Sequence, residues 1–405
     1  MATATPRTAM RASRRGEDLP ASPIRRLIPL AEEAKRRGVR IHHLNIGQPD
    51  LDPPPGVLAA LREAHRERLA YAPTRGLPAV LDAWRAYYRE HGVELAAEEI
   101  MVTAGASEAL TLALRTVCDA GDDVLVPEPF YAPYKGLAAV ADVRLVPVPL
   151  GPGFAPPAVA DVAARVTPRT RALLLSNPNN PTGTVYGRDD LAALGALAVE
   201  RGFFVLADET YREIVFDGPP APSALAVPGL EEHAVVIDSV SKRFNVCGLR
   251  MGALATRNRE VMEALLRLAE LRLAVSVVDQ LAIAGALAAS RPYVDTVVAE
   301  FGRRCDAVAA ALARLPGVEC HRPAGAFYVV ARLPVADAER FAAWLLGDFA
   351  LDGETAMLTP MADFYATPGR GRDEVRIACV FDAATLTRAV EVVGAGLAAY
   401  AGSTN

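Results

Sequence analysis

The segment Ser239-Val-Ser-Lys-Arg-Phe-Asn-Val-Cys-Gly-Leu-Arg250 sets two hydroxyls, Lys242 and, at its end, Arg250 just beyond the apolar run Ala234 to Asp238. An exposed lysine, with a pKa near ~10.4, is a poor nucleophile; at the mouth of a sheet it is desolvated, its pKa falls, and the free amine can attack a carbonyl carbon. Ser239 and Arg250 flank Lys242 closely enough to converge on one dianionic phosphate, the arginine through its planar fork. The set suits a ligand carrying an aldehyde and a phosphate. Taken alone, it reads more readily as a surface lysine followed by a helix-ending Gly248 and a structural arginine.

A second run, Leu206-Ala-Asp-Glu-Thr-Tyr211, ends on Asp208 with Tyr211 close behind. A carboxylate at the carboxyl end of a strand in an open α/β sheet faces the ligand crevice. Its charge is costly there unless a cation, such as a protonated pyridine nitrogen, pairs with it. Ser176-Asn-Pro-Asn-Asn-Pro-Thr-Gly183 follows the run Arg171 to Leu175 at another carboxyl end, and alone it is also an ordinary Asn/Pro turn. The sequence holds no G-x-x-x-x-G-K-[ST], H-E-x-x-H, G-x-S-x-G or G-x-G-x-x-G, so nucleotide-phosphate, zincin and serine-hydrolase readings lose their usual support.

Elements must hold these residues together. From about Glu99 to Thr256, short apolar runs alternate with helical patterns, which predicts a mostly parallel sheet covered by helices on both faces. The expected strands are Ile100 to Thr103, Val124 to Val126, Arg144 to Val148, Arg171 to Ser176, Phe203 to Ala207, Ala234 to Asp238 and Gly252 to Thr256. Ala106, Ala109, Leu110, Ala113, Leu114 and Val117 follow helical spacing, so the first strand runs into a helix at Gly105. A helical region from Glu260 to Leu315 leads to runs at Ala326 to Leu333, Thr355 to Thr359 and Glu374 to Val380, read as a smaller α+β domain. The expected division is a loose N-terminus at 1–20, an arm at 21–60 joining the small domain, a large domain at 61–295 and the small domain at 296–405.

A chain of 405 residues, 51% hydrophobic and 22% charged, is long enough for two domains and too apolar for a disordered tail. Its net charge of −5 is spread rather than blocked, which argues against a nucleic-acid partner. The five scattered cysteines argue against a disulfide framework and a zinc cluster; no metal is expected, and a reducing cytoplasm fits best. The most apolar stretch, Leu265 to Ala289, is broken by Arg267, Glu270, Arg272 and Asp279, so no membrane span is expected. Residues Met1 to Arg15 hold arginines and no acid, as an organelle transit peptide does, but the reading adopted is a solvated tail.

Together the marks resemble those of the class I/II aminotransferases, pyridoxal phosphate enzymes of fold type I. They are Leu44-Asn-Ile-Gly-Gln-Pro-Asp50, Tyr71-Ala-Pro-Thr-Arg-Gly76, Thr103-Ala-Gly-Ala-Ser107, Asn177-Pro-Asn-Asn-Pro-Thr-Gly183, Ala207-Asp-Glu-Thr-Tyr211, Ser239-Val-Ser-Lys242 with Arg250, and Val375-Arg-Ile377, in the family's order from about residue 20 to residue 395. The resemblance implies that Lys242 carries the cofactor as a Schiff base and that Asp208 pairs with its ring nitrogen. It further implies that Tyr211 and Asn180 bond the phenolic oxygen, that Tyr131 stacks on the ring, and that Gly105, Ala106 and Ser107 offer N–H groups to the phosphate alongside Ser239 and Arg250. Arg376 matches the arginine that grips the substrate α-carboxylate, Gly47 lets the N-terminal segment lie against the substrate, and Asn180-Pro181 is expected as a cis peptide.

The activity so implied is transfer of the amino group of an L-amino acid to a 2-oxo acid in two half-reactions, by a homodimer in which Tyr71 reaches the partner subunit's site. A lyase, decarboxylase, cyclising synthase or oxidase reaction on the same cofactor is the alternative. A cofactor-binding DNA regulator is disfavoured, since only about twenty residues precede the match. Some aspartate-directed relatives carry a lysine where this chain has Ser107, which weighs against a dicarboxylic preference; Arg25, or Arg75 from the other subunit, could supply that charge.

Overall fold

The computed structural model describes residues 11–13, 16–17, 19–64, 69–287 and 291–403; most of the loose N-terminus expected at 1–20 lies outside them. The strands are β1 (Arg40–His43), β2 (Ile100–Thr103), β3 (Asp123–Glu128), β4 (Arg144–Pro149), β5 (Thr170–Ser176), β6 (Phe204–Asp208), β7 (Ala234–Ser239), β8 (Gly252–Ala255), β9 (Glu319–Cys320), β10 (Tyr328–Arg332), β11 (Glu354–Met357), β12 (Thr359–Pro360) and β13 (Glu374–Ala378). Seven of them form one sheet in the order β2-β8-β7-β6-β5-β3-β4. Strand β8 is antiparallel to both neighbours, and the remaining pairs are parallel. The sheet is the α/β layer that the alternating apolar runs predict, each strand lying within two residues of its expected ends. Pro147 and Pro149 are tolerated because β4 is an edge strand that pairs only with β3.

Both faces of this sheet are covered. Leu173, Leu175, Val205, Ala207 and Val236 pack with Trp84, Tyr87 and Tyr88 of the helix Pro78–Glu90. Their strand neighbours Ala172, Leu174, Leu206, Val235 and Ile237 point the other way, onto Leu110 and Leu114 of the helix Ala106–Val117 and onto Tyr134 of the helix Pro133–Ala141. This alternation continues past the strand ends, and it decides which face each polar residue there will occupy.

A second core lies around the antiparallel sheet β12-β13-β10-β9 and the parallel pair β1-β11. Leu27, Ala31 and Leu44 from the N-terminal arm are buried in it with Phe301 and Leu312 of the helix Arg291–Leu312, Phe341 and Leu345 of the helix Ala338–Asp348, and Val390 and Val393 of the helix Ala383–Ser403. Strands β1 and β9, Arg-Ile-His-His and Glu-Cys, escape a search for apolar runs because they carry none. Among the described residues, no helix is long and apolar enough to cross a membrane.

Candidate active site

Ser176, Asp208 and Ser239 continue the parity of Leu174, Leu206 and Ile237, so all three emerge on the same face at the carboxyl end of β5, β6 and β7. They line a cavity of about 480 Å³ with Lys242, Ala106, Ser107, Tyr131, Asn180, Tyr211, Arg250, Gly47 and Arg376, residues drawn from the large sheet, the N-terminal arm and β13.

Asp208 lies in the cavity wall, almost fully buried. Tyr134 Oη donates to its Oδ2 at 2.7 Å, and Thr210 donates to Oδ1 through Oγ1 at 2.6 Å and N–H at 3.2 Å. Burial pushes the Asp208 carboxyl above its ordinary value, against the pull of those hydrogen bonds, and the Asp238 carboxylate adds to the rise. A buried carboxylate with this balance is stabilised by a cation facing it from the cavity. Thr210 lies inside the Ala207–Tyr211 mark without a role read there, and Tyr134, in the helix Pro133–Ala141, stands outside every mark.

The Lys242 amine is half-buried and donates to Gly47 C=O at 2.8 Å, with Cys247 Sγ 3.5 Å away. Gly47 has to lack a side chain: a Cβ there would stand 1.9 Å from Tyr328 Oη. Tyr328 Oη is itself 2.8 Å from Tyr211 Oη. Burial, followed by the adjoining Tyr328 hydroxyl, pushes Tyr211 well above the ordinary tyrosine value, so it stays a phenol that can donate. Burial likewise pushes Tyr131 up to about 12.

At one end of the cavity β2 gives way to the helix Ala106–Val117. The first-turn N–H groups of a helix have no intrahelical acceptor, and Ala106 and Ser107 bring them to the cavity wall. Gly105 plays a different part from the one expected of it: its N–H donates to Thr103 C=O at 2.8 Å, and it is absent from the cavity lining. Its φ of 80° and the 2.5 Å that would separate a Cβ from Arg250 Nη2 make it the gap through which the arginine approaches. Arg250 itself has a φ of 43° and donates to Cys247 C=O at 3.0 Å. Ser239 Oγ accepts from Ser241 N–H and lies 2.9 Å from Ser241 Oγ.

At the other end Arg376 of β13 is 1% exposed, with its guanidinium 4.4 Å from the Tyr328 ring centre and 5.3 Å from that of Phe364. Nη2 donates to Asn45 C=O at 2.7 Å and Nη1 to Asn180 Oδ1 at 3.2 Å, while Nε, also buried, has no acceptor. Among the described residues no acid pairs with it, so the alternative of a structural arginine neutralised by a local carboxylate does not hold. An incompletely satisfied buried cation is a receptor for an anion.

One expectation needs correction. The cis bond in the Asn/Pro turn is at Asn177-Pro178, with another at Glu128-Pro129, and not at Asn180-Pro181; two Asn-Pro pairs with equally weak trans preference stand three residues apart, and sequence does not rank them. Arg75 Nη1 donates to Glu98 C=O at 2.6 Å and Ile100 C=O at 3.3 Å. Tyr71, expected in the partner subunit's site, is absent from the lining of its own chain's cavity and is 84% exposed.

Comparison with known proteins agrees with this geometry. The chain is 34% identical to the aspartate/prephenate aminotransferase of Thermus thermophilus over 74% of its length and 78% of the relative's. It is 34% identical to the LL-diaminopimelate aminotransferase of Desulforudis audaxviator over 89% and 91% of the two chains. The solved aspartate aminotransferase from Thermus thermophilus with maleate superposes with a TM-score of 0.87 at 30% identity, covering 96% of this chain and 100% of that one. The family model for aminotransferase class I and II matches residues 40–393, and the chain belongs to that family of enzymes.

Proposed function

We propose that the cavity binds pyridoxal phosphate and an L-amino acid end to end, and that the chain moves the amino group to a 2-oxo acid with Lys242 as the reacting amine. The residues fit the cofactor by two observations: a carboxylate, Asp208, buried with no cation of its own, and a cradle of N–H groups, hydroxyls and Arg250 that exists because Gly105 has no Cβ. When bound, the cofactor supplies a carbonyl carbon for the amino group and a ring that withdraws the electron pair left as the α-proton departs.

Ala106 and Ser107 N–H, the Ser239 and Ser241 hydroxyls and Arg250 hold the phosphate. Asp208, oriented by Tyr134 and Thr210, keeps a proton on the ring nitrogen. Tyr131 covers the ring, and Tyr211 donates to the phenolic oxygen. Because Asn180 Oδ1 is taken by Arg376, its Nδ2 is left as the donor toward that same oxygen. Arg376 would fix the substrate carboxylate, which points the α-carbon at Lys242; the Lys242 amine would take the α-proton and carry it across the nitrogen to the carbon that the cofactor's carbonyl supplies. Arg25 also lines the cavity and faces Tyr131, which makes it the charge for a second carboxylate on an acidic donor.

We assign the large cofactor domain to 61–295 and the small domain to 21–60 with 296–405, whose shared core supports the pairing. The exposure of Tyr71 supports a homodimer in which it enters the partner's site, and the five free cysteines suit the cytoplasm. The observation that carries the reading is the Lys242 amine lying in one cavity with Asp208 and Arg376. Borohydride reduction of the yellow protein, followed by peptide mapping, is expected to leave the cofactor's mass on the peptide containing Lys242. Label on another lysine, or none, refutes the assignment. A panel of amino donors with 2-oxoglutarate then tests the Arg25 reading, which predicts aspartate or glutamate first.

A further inference from the structure

The alternation that turns Asp208 and Ser239 toward the cavity turns Glu209 and Asp238 to the opposite face of the sheet. There five ionic side chains, Glu209, Arg212, Glu213, Asp238 and Arg243, are each no more than 4% exposed. Arg243 pairs with Asp238 through Nη2 and with Glu213 through Nη1 at 3.1 Å, while Arg212 Nε stands 3.3 Å from Glu209 Oε2. Both guanidiniums lie over rings of the helix Pro78–Glu90: Arg243 is 4.3 Å from the Tyr87 centre and 5.7 Å from Trp84, and Arg212 is 4.9 Å from Tyr87. Tyr88 Oη donates to Asp238 Oδ2 at 3.3 Å, His91 Nε2 is 3.4 Å from Glu213, and Glu209 accepts from the Ser223 hydroxyl and Ala224 N–H.

Desolvating so many charges costs several kcal/mol per ion, and apolar residues of equal volume commonly serve stability as well. The placement of the cluster suggests a use beyond stability. Glu209 follows Asp208 in the chain, Arg212 follows Tyr211, Asp238 precedes Ser239 and Arg243 follows Lys242. Asp238 Oδ1, the atom that Arg243 holds, also accepts Ser239 N–H at 2.6 Å.

We propose that the Arg243–Asp238 pair, braced by Glu213, Arg212 and the Trp84, Tyr87 and Tyr88 rings, is a positioning device behind the site: it fixes the Ser239–Lys242 turn from the far face and cancels the negative charge that Asp238 presents to Asp208. The inference rests on the reading of Asp208 as the partner of the ring nitrogen. On the cavity face Asp208 has Thr210 on its own turn, Tyr134 and Tyr131 after β3, Ser176 on β5, Lys242 beyond β7 and Arg376 on β13; on the far face Asp238 is one residue along β7 from Ile237, the register partner of Asp208, and Glu209 is turned toward Arg212. Burial is what chiefly raises the Asp208 carboxyl; Asp238, on the adjoining strand, is the anion that adds to the rise, and Arg243 is its counter-charge.

The test uses the cofactor-loaded enzyme, the pH profile of kcat/KM for an amino donor, and the cofactor dissociation constant against pH. Arg243→Met leaves Asp238 uncompensated, makes Asp208 easier to protonate, and moves the acid limb of both profiles up by about one pH unit, the size expected of one charge on a neighbouring strand. Asp238→Asn removes the anion, leaves Arg243 with Glu213, and moves the limb down. The double variant Arg243→Met/Asp238→Asn returns toward wild type in pH dependence even though its melting temperature is lower. If Arg243→Met does not fold, the opposite displacement in Asp238→Asn and its loss in the double variant carry the test. Lowered melting temperatures with an unmoved acid limb in every soluble variant overturn the proposal and leave the cluster purely structural. Normal turnover in Asp208→Asn fails the underlying reading instead, so the two failures are told apart.

Discussion

Two arginines close the two ends of the cavity, and they are built in opposite ways. Arg250 is exposed, sits on left-handed backbone and rests on the carbonyls of Cys247 and Ala104 at 3.0 and 3.4 Å. Arg376 is buried within a strand, stacked on Tyr328 and Phe364, with Nε unanswered. On the proposed function, the difference follows from what each end must do. A phosphate brings two charges and is met by a group of donors, so any one of them can stay solvated and adaptable. A substrate carboxylate brings one charge, must be held at a fixed angle to Lys242 and must leave each turnover, so its receptor is pre-ordered and poorly satisfied until the ligand arrives.

The sharpest way to break this comparison is Arg376→Lys. A lysine gives one mobile point charge in place of a planar fork, so kcat/KM for amino acid donors should fall by roughly 10²-fold or more while cofactor affinity holds and amines without a carboxylate are spared. Steady-state kinetics with paired donors checks it, and equal loss for both kinds of donor assigns the carboxylate to another group. Next in size is Arg250→Ala, expected to weaken the cofactor about tenfold or more, read by absorbance titration, with the KM for amino acids nearly unchanged once the site is saturated. If KM rises in step, the two ends are not separate.

Gly105→Ala tests the opening that admits Arg250. The new Cβ meets Nη2 at 2.5 Å and the backbone is held at a φ of 80°, so cofactor affinity should drop several-fold and the melting temperature by a few degrees. An unchanged dissociation constant shows that the guanidinium has room elsewhere. The smallest effect belongs to Tyr328→Phe, which keeps the ring under Arg376 and removes the hydroxyl 2.8 Å from Tyr211, with a loss of about two- to fivefold in kcat/KM. A loss as large as that of Arg376→Lys makes the hydroxyl, rather than the ring, the support.

What could be read from residues alone follows the same division. Strands that end in a polar residue, such as Leu206-Ala-Asp208 and Ile237-Asp-Ser239, announce both the sheet and the face on which chemistry sits, because period-2 alternation survives past the strand end. Residues that act across the fold announce nothing. Tyr134 reaches Asp208 from a helix 74 positions away, and Tyr328 reaches Tyr211 across 117. Arg212, in the turn after β6, and Arg243, in the short helix after β7, look like surface charges until the fold places them against Tyr87. Gly105 was expected to donate, but its contribution is the side chain it lacks.

The central claim, that this cavity transfers an amino group rather than releasing it, is tested most directly by mixing the cofactor-loaded enzyme with an L-amino acid and no 2-oxo acid acceptor. The account predicts a burst of about one equivalent of 2-oxo acid per chain that then stops, with no ammonia, carbon dioxide or hydrogen peroxide, and resumes when a second 2-oxo acid is added. Continued turnover without an acceptor, accompanied by any of those three products, contradicts it and assigns the same residues to a lyase, decarboxylase or oxidase.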